Sequence, residues 1–293
     1  MKKFLKPTVL SLIALAILSC SSDDNKSNDD FITQDITVLR SIHDSNYYKI
    51  KGESEFKLVS TNLIEYNYND IAQLKNILST DTEMKVEGDK KQETKDIIED
   101  EIQYGENGKI KSIKTTNKTE GEIISEIVFE YDENNRIIKS FDKVDKITEV
   151  FEYNTENLPV KSIISQEGNP TSDINVYKYE NGNLISAEKL QSKEDEKDIT
   201  YFEYDNYNSP FKDMSVNNFS FEHDYVDGLS YAYTVKNNIL AYHSEYNKDK
   251  VEIKYNYNQQ NYPIQAETIE VEPSGNEFKT ITKYTYQTIT VIK

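Results

Sequence analysis

The sequence predicts an all-β protein, an antiparallel meander of repeated hairpins that forms a strongly curved sheet or an open or closed barrel. Two copies of one phrase support this prediction most directly, VFEYDENNRIIKS at 128–140 and VFEYNTENLPVKS at 150–162, which align without a gap. In each copy apolar residues alternate with charged ones, which is the period of a strand with one buried face. Tyrosines recur 22 to 27 residues apart, the length of two strands and two turns, at Tyr104, Tyr131, Tyr153, Tyr179 and Tyr204.

The alternation predicts an aromatic face turned inward and a charged face turned outward. The aromatic row returns at Tyr177 and Tyr179, at Phe202 and Tyr204, at Ile253, Tyr255 and Tyr257, and at Tyr284 and Tyr286. Hydrophobic residues make up only 36% of the chain, but it contains 22 tyrosines and 11 phenylalanines. Each aromatic side chain covers roughly 150–250 Å². The sequence therefore predicts a single β-repeat domain over residues 33–293.

A short polar loop that ends in Asn or Gly follows the tyrosines of the repeat. The loops are GENG after Tyr104, DENN after Tyr131, NTEN after Tyr153, ENGN after Tyr179, DNYN after Tyr204 and NQQN after Tyr257. Asn and Gly adopt positive φ at little cost, so each loop predicts a tight hairpin turn. Pro159, Pro210 and Pro263 lie six residues after a tyrosine and are predicted to begin the next strand, where a missing N–H matters least.

Three segments depart from the regular repeat. Residues 71–78 fit a short helix or a strand, and we favour the strand because Leu74 lies six residues after Tyr68. The charged stretch EGDKKQETKD at 87–96 is predicted to be the long, solvated tip of a hairpin. Residues 205–250 are aromatic but irregular, and they are predicted to form either a ligand-binding rim or a plug at one end of the sheet or barrel.

Residues 1–20 have the features of a secretory signal. Lysines stand at positions 2, 3 and 6, and residues 9–18 are an apolar run too short to span a bilayer. The run ends in ILSC, which resembles the bacterial lipobox. The resemblance implies cleavage before Cys20, a diacylglyceryl thioether on its sulfur and acylation of its new amino group. The alternative is an ordinary unpaired thiol after a plain signal peptide.

Residues 21–32 are predicted to be a disordered acidic tether, because SSDDNKSNDD at 21–30 contains no apolar side chain. The pair Asp23 and Asp24 resembles the acidic export signal that sends lipoproteins of Bacteroidota to the outer face of the outer membrane. The resemblance implies a lipid-anchored outer-membrane protein at the cell surface. A plain soluble linker is the alternative.

The charge of the mature chain limits its partners. Without residues 1–20 the chain has 31 basic and 52 acidic residues, a net charge of −21. This charge repels nucleic acid, so no nucleic-acid partner is predicted. Cys20 is the single cysteine, which excludes disulfides and cysteine-based metal sites. The expected partners are the membrane, through the lipid on Cys20, and a glycan, peptide or protein ligand; no cofactor is predicted.

No constellation of residues predicts catalysis. The acidic residues that could pair as in a glycosidase are Glu126, Glu130, Glu152 and Glu203, but they alternate with lysines and have no apolar pocket around them. A solvated charged face explains them better. The histidines at positions 43, 223 and 243 lack metal-ligand spacing, although His223 and His243 could converge with Asp224. No catalytic, cofactor or metal residue is predicted.

The repeats resemble two known families. The phrase Y-[DN]-x-x-[NG]-x-[LIP] resembles the tyrosine–aspartate repeats of Rhs-type shells; it occurs at Tyr131, Tyr153, Tyr204 and Tyr257 and, with glycine in its second place, at Tyr104. The stretches NSPFK at 208–212 and NNILAY at 237–242, together with the lipobox, resemble Bacteroidota lipoproteins that carry a domain of unknown function with a porin-like β fold. This resemblance covers residues 100–290 and implies a curved antiparallel sheet or partial barrel and no activity. The chain has few glycines and no toxin-like C-terminal region, so the delivery function of Rhs proteins is not carried over.

These observations lead to three hypotheses of function. The first is a non-catalytic, lipid-anchored surface protein that binds a ligand at one rim, near residues 205–250. The alternative is a carboxylate-dependent hydrolase acting on glycans, and the third is a structural spacer. A membrane-spanning porin is not expected, because the face opposite the aromatic residues carries Glu and Lys rather than lipid-facing side chains.

Overall fold

The computed structural model describes residues 33–87, 90–169, 172–190, 197–212, 236–245 and 250–292. Within them, sixteen antiparallel strands form a closed barrel in which each strand pairs with its neighbours in sequence and the last pairs with the first. This confirms the all-β meander and shows that the sheet is closed. The described part of the chain contains no α-helix and so offers no helical membrane span.

The strands are β1 Thr33–Lys49, β2 Lys57–Tyr68, β3 Leu74–Glu87, β4 Lys90–Tyr104, β5 Ile110–Asn117, β6 Glu122–Tyr131, β7 Ile137–Asp142, β8 Ile147–Tyr153, β9 Pro159–Gln166, β10 Ser172–Glu180, β11 Asn183–Leu190, β12 Lys197–Tyr204, β13 Ile239–Ser244, β14 Val251–Tyr257, β15 Pro263–Val271 and β16 Glu277–Ile292. Even-numbered strands finish, and odd-numbered strands begin, at one end of the barrel. We call it the tyrosine end, because β2, β4, β6, β8, β12 and β14 finish there at a tyrosine.

The aromatic row faces the interior, as predicted, and the charged row faces out. Phe151, Tyr177 and Phe202 are buried in a core to which strands all around the barrel contribute. On the outer wall, lysines and glutamates of adjacent strands form ion pairs at 2.7–2.8 Å, Lys139 with Glu130, Lys161 with Glu152 and Lys250 with Glu203. Such solvent-exposed pairs contribute little to stability, so the folded state depends mainly on the interior.

The predicted turn chemistry is confirmed at four of the loops. In DENN the Asp132 Oδ1 accepts the backbone N–H groups of Asn134 and Arg136, and Asn135 has a φ of 66°. In NTEN, Asn154 makes the same two bonds and Asn157 has a φ of 62°. The loops NQQN and GENG likewise place Asn261 and Gly108 at positive φ, whereas ENGN contains a tighter turn at residues 181–182. These turns close because Asn and Gly tolerate the left-handed backbone that the fourth position requires.

The register of the hairpins supplies the curvature that closes the barrel. Seven hairpins at the tyrosine end have a register shift at the tyrosine, namely those that begin with Tyr68, Tyr104, Tyr131, Tyr153, Tyr179, Tyr204 and Tyr257. In each, one residue near the start of the following strand is left without a partner. A β-bulge of this kind bends the strand and increases its twist, and repeated around a sheet it brings the two edges together.

The tyrosines of the repeat donate hydrogen bonds from inside the barrel. Each hydroxyl bonds to a backbone carbonyl near the start of the preceding strand, Tyr104 to Leu74 at 2.8 Å, and Tyr131 to Ile110, Tyr153 to Ile137 and Tyr204 to Leu184 at 2.7 Å. Burial raises the pKa of Tyr104 and of Tyr131 to about 12. Each bond ties together the ends of two neighbouring strands, and the tyrosines therefore act as clamps at this end. Two tyrosines of the repeat differ. The buried hydroxyl of Tyr179 has no hydrogen-bond partner, and that of Tyr257 donates to the carboxylate of Asp205.

Changing Tyr131 to phenylalanine should lower the free energy of unfolding by about 1 kcal/mol, because the Ile110 carbonyl loses a buried partner. Tyr179→Phe is the matched control. It removes a buried hydroxyl that makes no bond, so stability should be unchanged or slightly higher. Urea denaturation followed by far-ultraviolet circular dichroism measures both variants. Equal losses in the two would show that the hydroxyl bonds do not clamp the strands.

Two of the less regular segments can now be assigned. The strand assignment for residues 71–78 is confirmed, because β3 begins at Leu74 and contains the second half of the segment. The long solvated tip predicted at 87–96 is wrong. Strand β3 runs to Glu87, β4 starts at Lys90, and the pairing is continuous from Glu87 with Lys90 to Asp81 with Asp96. Backbone pairing needs no apolar side chains, so a charged composition did not prevent strand formation.

Candidate functional site

The turn after Tyr204 contains a long insertion. In the regular turns the N–H of the first residue donates to the carbonyl of the fifth, as Asp132 does to Arg136 at 3.0 Å and Asn154 to Leu158 at 2.9 Å. The N–H of Asp205 makes the same bond, at 3.0 Å, but its acceptor is the carbonyl of Asn238. The loop DNYN therefore opens a regular turn whose fifth residue is Asn238, with residues 206–237 inserted between. The structure describes 206–212 and 236–237 of this insertion.

Asp205 holds the two ends of the insertion together. Its Oδ1 accepts the backbone N–H groups of Tyr207 and Asn238, each at 3.0 Å. Its Oδ2 accepts the side-chain amide of Asn238 at 3.0 Å and the hydroxyl of Tyr257. Burial and the hydrogen bond to Asp205 raise the pKa of Tyr257, which keeps its hydroxyl protonated as a donor. One carboxylate thus joins strands β12, β13 and β14.

The insertion is also bonded to the turns on both sides. Asn183, the first residue of β11, accepts the backbone N–H groups of Lys236 and Asn237 on its Oδ1. Asn208 donates its backbone N–H to the Asn261 carbonyl and its side-chain amide to the Gln260 carbonyl, both at 3.0 Å. These bonds give the first residues of the insertion a fixed path.

That path leads into the barrel. Ser209 and Pro210 are buried, and the ring of Phe211 packs edge-on against Tyr66 of β2, with centroids 6.3 Å apart. The prediction that Pro210 begins a strand is therefore wrong, whereas Pro159 and Pro263 do begin β9 and β15. At Pro210 the chain leaves the sheet because the turn is open, and β13 begins only at Ile239. A plug at one end of the barrel is confirmed for residues 209–211, and residues 213–235 lie outside the described residues.

A cavity of about 530 Å³ lies in the lumen beside this plug. Its lining comes from eight adjacent strands of the closed sheet, β13–β16 and β1–β4, and from Pro210 and Phe211. The aromatic part of the lining includes Tyr66, Tyr242, Tyr255, Tyr284 and Phe211, and the polar part includes Asp44, Asn46, Asn62, Asp81, Asp100 and Glu270. A volume of this size, with mixed aromatic and polar walls, is typical of a small-molecule site.

The polar lining forms a row across neighbouring strands. Asp44 of β1 is paired with Asn62 of β2, and Asn62 is paired with Asp81 of β3. Directly paired residues have Cβ atoms roughly 4.5–5.5 Å apart, so these side chains act together. The Thr282 hydroxyl donates to Asp44 Oδ1 at 2.5 Å, and Tyr242 donates to Glu270 at 3.4 Å.

Two amide oxygens in the lining are buried without a donor. Asn238 is 4% exposed and its amide nitrogen is bonded to Asp205, but its Oδ1 has no hydrogen-bond partner. Asn62 Oδ1 is likewise buried and unsatisfied. An unsatisfied buried acceptor costs about 1–3 kcal/mol, so each of these oxygens is a local cost to the stability of the fold.

The residues singled out from the sequence lie elsewhere. Glu126, Glu130, Glu152 and Glu203 are on the outer wall, each bound by a lysine, and give no support to a hydrolase. His43 in β1 and His243 in β13 are not brought together, and His243 stacks on Tyr201 with centroids 5.2 Å apart. Cys20, His223 and Asp224 are outside the described residues. Among the residues that are described, no cluster of His, Cys, Asp and Glu could hold a metal ion.

Sequence reasoning missed Asp205 and the polar row of the lumen. A signal for the row was present: in β1, Asp44 and Asn46 continue the alternate positions that begin with Ile42. Continuing the alternation of inward-facing positions past the apolar residues would have placed these polar side chains inside the barrel. For Asp205 the sequence held no signal, because its bond to Asn238 spans an insertion of unpredictable length.

Comparison with known proteins defines the class of fold. No family model matches the sequence, and no curated protein sequence is similar to it. The barrel is similar to the crystal structure of a porin-like protein from Bacteroides uniformis, with a TM-score of 0.53 and 12% identity over 85% of this chain and 98% of the other. This likeness shows the fold alone: the chain is an all-β protein with a porin-like barrel.

Two further solved structures align more weakly. A porin-like protein from Bacteroides vulgatus has a TM-score of 0.37 and 14% identity, over 86% of this chain and 99% of that one. A Photorhabdus luminescens Tc holotoxin pore has a TM-score of 0.31 and 11% identity, over 74% of this chain and 13% of its own. Similarities with TM-scores below 0.5 do not establish a shared fold. The porin-like fold implied by the resemblance is confirmed, whereas neither the lipoprotein family nor the Rhs repeats are supported by a sequence match.

Proposed function

We propose that the protein is a lipid-anchored, non-catalytic binding protein at the surface of the outer membrane, which holds a small ligand in the lumen of its barrel. The observation that carries the binding role is the cavity of about 530 Å³ in the lumen, walled by tyrosines and carboxyl groups. This moves the expected ligand site from the rim into the lumen. The ion-paired glutamates of the outer wall support a non-catalytic role.

The outer wall supports a barrel that is surrounded by water. Charged side chains of Glu130, Lys139, Glu152 and Lys161 project from four neighbouring strands on this wall, within the outer half that is closer to the tyrosine end. A charged side chain on the lipid face of a transmembrane barrel costs up to about 2–4 kcal/mol at the bilayer midplane. Several such residues on adjacent strands would therefore oppose insertion. In this proposal the membrane is reached through the lipid on Cys20, and Asp23 and Asp24 direct export to the surface.

Fractionation of cells that express a Cys20→Ala variant tests the anchor. The unmodified chain should be found with the outer membrane and should incorporate a radiolabelled fatty acid, whereas the variant should lose the label and leave the membrane fraction. Ser21→Ala is the matched control and should behave like the unmodified chain, because Ser21 does not carry the lipid. A Cys20→Ala protein that still resists extraction from membranes would contradict the proposal and place the barrel wall in lipid.

Thermal denaturation in the presence of glycans, short peptides and organic ions tests the binding role. A ligand that binds the folded barrel alone raises its melting temperature according to the ratio of ligand concentration to Kd. Binding by any compound that is lost when Phe211 is changed to tryptophan, which fills the cavity, would support a site in the lumen. A structural spacer would show no shift with any class of compound.

A further inference from the structure

We infer that two copies of this chain associate through the free edge of a two-stranded ribbon at the tyrosine end of the barrel. The inference goes beyond the proposed function and does not depend on a ligand in the lumen. Three observations carry it: the geometry of β1 and β16, the absence of charge from the last part of β16, and the way in which that part can pair with a second copy of itself.

The ribbon is the part of β1 and β16 that continues past the rest of the sheet. Strand β1 pairs with β2 only from Ser41 onward, and β16 pairs with β15 only as far as Lys283. The pairing of β1 with β16 extends beyond both and includes six pairs between residues 33–38 and residues 287–292. We call these two segments the ribbon. Six residues of a strand span about 20 Å.

Two tyrosine hydroxyls mark the level at which the barrel ends. Tyr68 donates to the Leu39 carbonyl at 2.8 Å, and Tyr286 donates to the Pro263 carbonyl at 2.7 Å. Leu39 and Tyr286 are partners in the ladder, so both bonds lie at the same level. All six pairs of the ribbon come after this pair, outside the ring of hairpins.

The ribbon has an open edge on each side. Among the described residues, no third strand pairs with residues 33–38 or 287–292. A two-stranded ribbon is marginally stable by itself, and three or more strands are normally needed. An unpaired edge presents a row of backbone N–H and C=O groups that can pair with another extended strand. The chemistry of the edge therefore specifies a strand as its partner.

The edge of β16 is uncharged, which is unusual in this chain. Within the barrel β16 carries Glu277, Lys279 and Lys283, whereas residues 287–292 contain no charged side chain. Native proteins commonly place charges on a strand edge to prevent pairing between molecules. The other edge of the ribbon carries Asp35 on β1, and the chain without residues 1–20 has a net charge of −21. Two copies can therefore approach each other through β16 with no carboxylates brought together.

The exposed part of β16 is complementary to itself. In an antiparallel pair with a two-fold axis at Ile289, this residue faces its own copy, Thr288 faces Thr290 of the second copy, and Gln287 faces Val291. Thr–Thr pairs directly across two strands are favourable, and both threonines are exposed. A two-fold contact satisfies the same groups on both copies. It converts two two-stranded ribbons into one four-stranded sheet.

Oxidative cross-linking in intact cells tests the contact where both copies are held on one membrane, which raises their effective concentration. Ile289→Cys should give a disulfide-linked dimer on a non-reducing gel. Ile36→Cys is the matched control, because Ile36 is the partner of Ile289 in the ladder and is half-buried like it. In the four-stranded sheet the two copies of residue 36 are about 14 Å apart, too far for a disulfide. The unmodified chain shows any linkage through Cys20.

Sedimentation equilibrium of the full chain, purified in a non-ionic detergent, measures the dimer without cross-linking. Ile289→Lys should raise the Kd of the dimer at least about tenfold, because two ammonium groups would face each other across the axis. Ile36→Lys adds the same charge one strand away from the edge and should leave the Kd unchanged. Circular dichroism confirms that each variant is folded. If Ile289→Lys does not fold, Thr288→Lys tests the same edge at an exposed position.

Three results would overturn the inference. The first is a monomer at all concentrations, with no cross-link from Ile289→Cys. The second is equal cross-linking from Ile36→Cys and Ile289→Cys, which indicates random collision. The third is a dimer that a folded lysine variant at position 288 or 289 does not weaken, which indicates a different interface. Protection of the amides of residues 288–291 from hydrogen exchange in a monomer would also overturn it, because the edge would then be covered by the chain itself.

Discussion

Replacing Asp205 with alanine should lower the free energy of unfolding by about 3 kcal/mol, although the residue lies in a loop. Its carboxylate accepts four hydrogen bonds, from the backbone of Tyr207 and Asn238, from the amide of Asn238 and from the hydroxyl of Tyr257. Alanine leaves these donors without their acceptor where the insertion departs from the sheet. The N–H groups and the phenol would then have to be hydrated or remain unsatisfied. Urea denaturation followed by circular dichroism measures the loss.

Asp132→Ala is the matched control for Asp205. Asp132 stands at the same position of the turn between β6 and β7, and its bonds go only to residues of its own loop, Asn134 and Arg136. Asp132→Ala should therefore lower the free energy of unfolding by clearly less than Asp205→Ala does. Asp205→Asn should fall between the two, because the amide keeps one oxygen acceptor for the backbone N–H groups. Equal losses for Asp205→Ala and Asp132→Ala would show that the insertion is not held by this carboxylate.

Changing Leu74 to alanine should lower the free energy of unfolding by about 3 kcal/mol. Its side chain is 0% exposed at the start of β3, within the core of the tyrosine end, and alanine would leave a cavity that the closed sheet cannot collapse. The Leu74 carbonyl would still accept the Tyr104 hydroxyl, so the change tests packing and not the hydrogen bond. The loss is measured by urea denaturation.

Leu240→Ala gives the comparison for Leu74. Leu240 follows Ile239, which has the place in β13 that Leu74 has in β3. Leu240 is 38% exposed, and the register shift at Tyr204 leaves it without a partner in the ladder. Its removal should change stability by less than about 1 kcal/mol. If the two leucines cost the same, the tyrosine end would not be a packed core, and the described barrel would have to be an open tube.

The hairpins and the inward aromatic rows could be predicted because their signals are short in range. The alternation in VFEY needs only that successive side chains point to opposite faces, and Asn135 or Asn157 needs only a backbone of positive φ. The prediction of a solvated tip at 87–96 was wrong because its signal is not short in range. The two strands are held extended by pairing with each other, and amino-acid composition does not reveal that pairing.

The candidate site could be predicted only in part. The irregular stretch at 205–250 left a ligand-binding rim and a plug as alternatives; residues 209–211, which include Phe211, enter the barrel, and residues 213–235 lie outside the described residues. The lumen site was not predicted, because Asp44, Asn62 and Asp81 look like ordinary polar strand residues until their register is known. A shift of one residue in either pairing would have moved one of these side chains to the outer wall.

From the amino-acid order alone come the repeated hairpin, the positions of its turns, the aromatic inner face and the acidic outer one. The pairing of β1 with β16, the opening of the turn at Asp205 and the cavity lined by strands from both ends of the chain arise only in the folded barrel. The reason is geometric. Closure depends on the sum of small twists and bulges over sixteen strands, and a cavity depends on residues that are hundreds of positions apart, so neither is encoded in any short stretch of the chain.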